Sequence, residues 1–236
     1  MNACDGPAAV PQRVVDLLAG CDTATVSDAL DSLEIASALI GVRARVPGAR
    51  ACGRVFTVTY RAVAAGGPKF RNAANYLDDV PNGSIVVIDN GGSTLCTNWG
   101  SLLTSVAQSR GVRGTVVHGC ARDVARIRTM GYPLFSTGVT MTSGKNRVEL
   151  DAVGKDVDVH GVLIRAGDLL LADDDGALVV PAAVAPEVAR RAMRVAVTER
   201  RIADFVRGGN RLDDARRLYN YAEPWNPSAE DEGSDA

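Results

Sequence analysis

The 236-residue chain carries 26 basic and 28 acidic side chains, for a formal net charge of −2, and is 46% hydrophobic but only 5% aromatic. With no Lys/Arg run clustered among aromatics, that balance excludes an electrostatic nucleic-acid binder and favours a small-molecule partner. Five cysteines (Cys4, Cys21, Cys52, Cys96, Cys120) are odd in number and never spaced as CxxC, which argues against a disulfide framework and for a reducing cytosol.

With His118 and His160 as its two histidines, one chain cannot build a three-histidine metal site. No apolar stretch approaches the ~20 residues of a membrane span, and no basic region precedes an apolar block as in a signal peptide. The chain therefore reads as soluble and cytoplasmic, with no membrane partner.

Val10, Val14, Leu17 and Leu18 predict a first helix closed by Gly20. A second follows, capped by Asp22 or Thr23, with Val26, Leu30 and Leu33 on one face. Gly53–Tyr60 reads as a strand, Phe70–Leu77 as a helix, Pro81-Asn82-Gly83 as a turn and Ile85–Ile88 as a buried strand. A helix over Trp99–Arg110, a strand over Gly114–His118, a loop over Gly119–Arg122, a helix over Asp123–Met130 and a strand over Leu134–Thr137 continue the rhythm. Alternation of this kind predicts an α/β fold with a largely parallel sheet. Beyond Gly144, two hairpins are expected, around His160-Gly161 and around Asp173-Asp174-Asp175-Gly176. Pro186 opens a long helix to about Val206, and the chain from Pro224 reads as disordered. The tail from Ser228 carries Glu230, Asp231, Glu232 and Asp235. The division expected is one domain over residues 1–208, including the long helix, followed by a C-terminal arm and acidic tail over 209–236.

Ligands of parallel α/β sheets gather where strand ends lead into helix N-termini. Two such junctions are close in sequence: Asp89 through Gly91-Gly92 to Trp99-Gly100-Ser101-Leu102-Leu103, and His118-Gly119-Cys120-Ala121-Arg122-Asp123. Free N–H groups at Ser101, Leu102 and Leu103 would bind an anion. Arg122 supplies a fork suited to a carboxylate, and Asp123 a hard oxygen ligand suited to Mg²⁺ or Mn²⁺. The alternative for Asp123 is an ordinary helix cap. His118 is either a proton relay or a strand-end histidine with a structural hydrogen bond. Cys120 is either a nucleophile or a small buried residue, and Trp99 either covers a ligand or packs.

Several segments together resemble the RraA-like family. They are Thr23-Ala24-Thr25-Val26-Ser27-Asp28-Ala29-Leu30, Asp89-Asn90-Gly91-Gly92, Asn98-Trp99-Gly100-Ser101-Leu102-Leu103, Gly119-Cys120-Ala121-Arg122-Asp123, Gly131-Tyr132-Pro133 and Gly167-Asp168-Leu169 through Val179-Val180-Pro181. The family includes 4-hydroxy-4-methyl-2-oxoglutarate/4-carboxy-4-hydroxy-2-oxoadipate aldolases and the regulator of ribonuclease activity A. The resemblance implies a layered α/β/α sandwich of the RraA-like (phosphohistidine-domain-like) type with a helical C-terminal arm. It implies that Asp123 anchors the metal, that Arg122 holds substrate and stabilises a pyruvate enolate, and that the Leu102 and Leu103 amides bind the pyruvyl carboxylate. It further implies a homotrimer or hexamer, with Glu199 matching a catalytic acid offered across the subunit interface.

One position departs from the resemblance. The aldolases carry an acid twenty-one positions before the arginine, where this chain has Ser101. Serine is no comparable base at neutral pH. The expectation is a metal-dependent lyase that cleaves a C–C bond of a 2-oxo-acid through an enolate, by retro-aldol cleavage or decarboxylation, with Asp89, Asp173 or Glu199 as substitutes for the missing acid. The alternatives are a non-catalytic regulator docking on a ribonuclease-type partner, and a family member recruited to another C–C cleavage or isomerisation.

Overall fold

The computed structural model describes residues 10–63 and 74–226. Cys4, the first part of the helix expected over Phe70–Leu77 and the acidic tail from Ser228 lie outside the described residues.

The expected N-terminal helices are α1 (Gln12–Ala19) and α2 (Thr23–Asp31). Asp22 caps the second, its carboxylate accepting the Thr25 N–H at 2.8 Å. After β1 (Arg43–Ala44) comes the long β2 (Ala51–Ala62), and a 3₁₀ turn over Asn75–Asp79 replaces the end of the expected third helix. Next come β3 (Ser84–Asp89), β4 (Thr97–Trp99), α3 (Ser101–Ser109), β5 (Gly114–Ala121), α4 (Val124–Met130) and β6 (Leu134–Val139). The second half holds β7 (Val148–Val153), the β8–β9 hairpin (Val157–Val159, Val162–Ile164), the β10–β11 hairpin (Leu169–Asp173, Gly176–Val180), α5 (Ala185–Arg207) and α6 (Leu212–Leu218).

The main sheet has the order β1-β6-β5-β3-β2-β10-β11, with β4 beside β5 and β7 beside β2. Its centre is parallel as expected (β2, β3, β5, β6), whereas β1, β7, β10 and β11 join antiparallel. The segment before β1 is stitched to β11, Leu39 N–H donating to Ala177 O at 2.8 Å and Val179 N–H to Ser37 O at 3.1 Å. The α/β class holds, and the sheet curls until its two edges nearly meet.

Strand alternation explains the apolar run in β3. Ile85 and Val87 face the inside of the curl with Val116, Phe135 and Val179, closed by Val157, Val159, Val162 and Ile164 of the β8–β9 hairpin. Val86 and Ile88 face outward, beneath Ala107 of α3 and Ile127 of α4. Both faces of the strand are covered, so both sets of side chains are apolar. A third cluster packs α1, α2 and α5 on the outer side of β10 and β11, through Leu18, Leu30, Val188, Leu169 and Val180.

Two local expectations are corrected. Trp99 does not begin a helix: it ends β4, pairing beside Ala121 of β5. Its ring is 1% exposed, stacks on Tyr132 at 6.2 Å and donates Nε1–H to Thr104 Oγ1 at 2.9 Å, so Trp99 is a packing residue. The loop expected over Gly119–Arg122 is strand as far as Ala121, because Cys120 and Ala121 gain partners from both β4 and β6.

Candidate active site

Because β4 and β5 run parallel and adjacent, α3 and α4 begin side by side at their carboxyl ends. Arg122 N–H donates to Trp99 O at 2.9 Å and ties the two junctions together. Gly100 permits the approach: a Cβ there would lie 2.8 Å from Asp123 Oδ2 and 3.1 Å from Arg122 Cγ, so a larger residue would push both side chains aside.

Asp123 occupies the position just before α4, but it does not cap that helix. Its backbone is left-handed (φ 58°, ψ 28°), a conformation that Asp adopts more readily than most residues. The turn sends its carboxylate back over α3, where Oδ2 accepts both the Ser101 N–H and the Ser101 Oγ–H, each at 3.0 Å. The ordinary-cap alternative is thereby overturned, since the carboxylate caps the neighbouring helix. Ser101 changes role as well: its amide is engaged by Asp123, so the Leu102 and Leu103 amides are the two left without an acceptor among the described residues.

The Ser101 amide holds the Asp123 carboxyl below its ordinary range, helped by the Ser101 hydroxyl and by Arg122 and Arg126. Arg122 Nε lies 3.8 Å from Asp123 Oδ2, too far for a hydrogen bond, and its side chain is 41% exposed. The arginine fork thus faces solvent, free to close on an anion.

These groups wall a cavity of about 440 Å³, lined by Gly100, Leu102, Leu103, Arg122 and Asp123 and completed by Tyr60, Asn98 and Lys145. Burial pushes the Tyr60 phenol up to about 12, so it is a proton-bearing donor at neutral pH. Sequence reasoning assigned no role to Tyr60, Asn98 or Lys145. Nothing in the local pattern could have placed Tyr60, on a distant strand, or Lys145, on the β6–β7 connection, against Arg122.

The other candidates lie elsewhere. Glu199, on α5, lines a separate cavity with Asp28, Asp31, Ser32 and Trp225, and within one chain it is not brought to Arg122. Burial, then Asp28 and Asp22, raises its carboxyl. His118 has the structural hydrogen bond of the second alternative, but within β5 rather than at its end: it faces the inside of the curl, Nδ1 bonded to Asp89 Oδ1 at 2.8 Å. That bond also removes Asp89 from the cavity as a substitute acid. Cys120 is buried against Gly138 and burial raises its thiol, which leaves it a packing residue. Asp173 accepts the Thr23 N–H and Oγ–H at 2.8 and 2.7 Å, a structural duty at the β10–β11 turn.

Mg²⁺ and Mn²⁺ suit the donor set. Asp123 is ionised, one of its oxygens is held by Ser101, and the other has no partner among the described residues. No group of three or more His, Cys, Asp or Glu stands together among the described residues. A hard cation that keeps most of its water shell and takes one carboxylate matches such a wall, whereas zinc would need more ligands.

A family model described as RraA-like, Aldolase/RraA, matches residues 23–179. The chain belongs to the RraA-like family. It is 42% identical over 213 residues to Protein DlpA of Legionella pneumophila, covering 90% of this chain and 35% of that protein. The chain likewise spans only 57% and 53% of the next two curated relatives it matches. A Deinococcus radiodurans relative named "Putative 4-hydroxy-4-methyl-2-oxoglutarate aldolase" is 32% identical over 166 residues, 68% of this chain and 94% of the relative. Among solved structures, Streptomyces coelicolor RraAS2, described as an unusual member of the RNase ES inhibitor RraA family, superposes with a TM-score of 0.70. It is 30% identical, over 78% of this chain and 91% of that one. No helix among the described residues is long and apolar enough to cross a membrane.

Proposed function

We propose that this RraA-like chain is a divalent-metal-dependent lyase that breaks a C–C bond of a 2-oxo-acid through a pyruvate enolate. One observation carries the reading: a single cavity joins an ionised Asp123, an uncommitted Arg122 and the two free amides at the start of α3. The aldolase names of several relatives agree with it.

In this reading the substrate carboxylate sits on the Leu102 and Leu103 N–H groups, where the helix dipole favours negative charge. Arg122 closes on the 2-oxo oxygen and stabilises the charge that develops there as the bond beyond it breaks. Asp123 holds Mg²⁺ or Mn²⁺, which when bound polarises the 2-oxo group. Ser101 fixes Asp123 and relays no proton to the substrate. Tyr60 offers a proton from the cavity wall. Glu199, its carboxyl raised, suits an acid brought by a neighbouring copy in a homotrimer or hexamer. Retro-aldol cleavage and decarboxylation of an oxaloacetate-type acid share the enolate, and decarboxylation needs no base for a substrate hydroxyl. A coupled assay of pyruvate release from both kinds of acid, with Mg²⁺ or Mn²⁺ and after EDTA, tests the proposal. Release that persists undiminished in EDTA and in Asp123→Ala rules it out.

The similarity to RraAS2 favours one other reading, a regulator that docks on a ribonuclease-type partner. It predicts no pyruvate release from any 2-oxo-acid and co-purification with that partner.

A further inference from the structure

Asn98 sits at the centre of β4, and its neighbours on the strand are satisfied. Thr97 Oγ–H donates to Trp99 O at 2.8 Å, and the Trp99 indole is bonded to Thr104. The ladder to β5 is irregular at this point, leaving Asn98 between the paired Thr97 and Trp99, and Asn98 lines the same cavity as Gly100, Arg122 and Asp123. The residue is 8% exposed. Both ends of its amide, Oδ1 and Nδ2, are sealed from solvent and have no hydrogen-bond partner among the described residues. A buried amide left without partners costs stability that an apolar side chain of similar size would not. Folding alone therefore gives no reason for Asn at this position.

We infer that Asn98 is a specificity-determining residue, reading an uncharged donor–acceptor group, a hydroxyl, on the half of the substrate beyond the pyruvyl unit. The inference rests on the lyase reading above. The charged part of such a substrate already has its partners in Arg122 and the Leu102 and Leu103 amides. An amide presents a donor and an acceptor side by side without charge, which matches a group that both accepts and donates. A carboxylate at that place would satisfy Nδ2 and repel Oδ1. The connection from Ser143 to Asn146 lines the cavity as well, held to β4 beside Asn98 by the Gly144 N–H to Thr97 O bond at 2.9 Å. A ligand drawn under it meets Asn98 in a desolvated wall, where a hydrogen bond discriminates most.

Two substrates separate the roles: 4-hydroxy-2-oxobutanoate, which carries the hydroxyl, and oxaloacetate, which carries a carboxylate instead. In Asn98→Ala and Asn98→Leu, kcat/KM for the hydroxy acid should fall by about 10- to 100-fold. For oxaloacetate it should change by less than about threefold, and the Asn98→Leu midpoint of thermal unfolding should not drop. Equal losses on both acids, or none on either, overturn the role of Asn98 while leaving the lyase reading in place. A wild type that decarboxylates oxaloacetate and ignores the hydroxy acid overturns it too. A wild type inert towards both acids defeats the lyase reading first and this inference with it.

Discussion

Asp123 and Glu199 each line a cavity, and their surroundings push their protons in opposite directions. Two hydrogen bonds from Ser101 and the charges of Arg122 and Arg126 hold Asp123 ionised. Glu199 has no such donor among the described residues: partial burial and the carboxylates Asp28 and Asp22 make its charge less welcome. The first carboxyl is held in its charged form, whereas the second has its charged form disfavoured. A metal lyase uses both properties, but a single chain keeps them in different cavities.

Removing the prepared anion should have the largest effect. Asp123→Ala should lower kcat/KM for pyruvate release by about 10³-fold in a coupled assay, the scale of losing a principal electrostatic group. Gly100→Ala comes next. Its methyl would displace Asp123 and Arg122 together, so activity should fall by about 10²-fold while circular dichroism stays native. A fully active Gly100→Ala would show that the close approach is incidental.

Glu199→Gln separates the two regions in another way. Raised above its ordinary range, Glu199 imposes a penalty that is absent at low pH and grows as pH rises through its folded value. The substitution should therefore raise the unfolding midpoint at neutral pH by about a degree or two, and not at pH 4. If a neighbouring copy supplies this acid, kcat should fall by about 10²-fold in the same variant. Ser101→Ala should have the smallest effect. It removes one of two bonds to Asp123 and lets that carboxyl rise, so the acid limb of the activity profile should move to higher pH. Because Asp123 is lowered, what it contributes is present above the ordinary carboxylate range and is lost as pH falls through its folded value.

The fold was legible where local chemistry and tertiary structure agree. Asp22 before Thr25, the all-apolar Ile85–Ile88, the turn at Asp173–Gly176 and Pro186 at the start of α5 announce their elements through caps, burial or φ restriction. It was illegible where pairing is long-range. β4 is three residues whose extended form is imposed by β5, which is why Trp99 reads as helical in isolation. β7 buries only the charged Glu149 among intermediate and exposed positions, and exists because β2 runs long enough to pair with it. At the site, Arg122 and Asp123 could be picked out as residue types, and the Leu102 and Leu103 amides as a helix start. What the sequence hid is direction. A left-handed Asp123 aims its carboxylate at the wrong helix, with the effect of spending the Ser101 amide and making Gly100 necessary.

The most direct test of the central claim, that this cavity holds a metal and a 2-oxo-acid together, is Mn²⁺ binding followed by electron paramagnetic resonance with and without oxalate, an analogue of the pyruvate enolate. Wild type should bind Mn²⁺ weakly alone and more than about tenfold more tightly with oxalate, and Asp123→Ala should lose both the binding and the enhancement. Equal Mn²⁺ affinity in the two proteins, or no response to oxalate in wild type, would contradict the account.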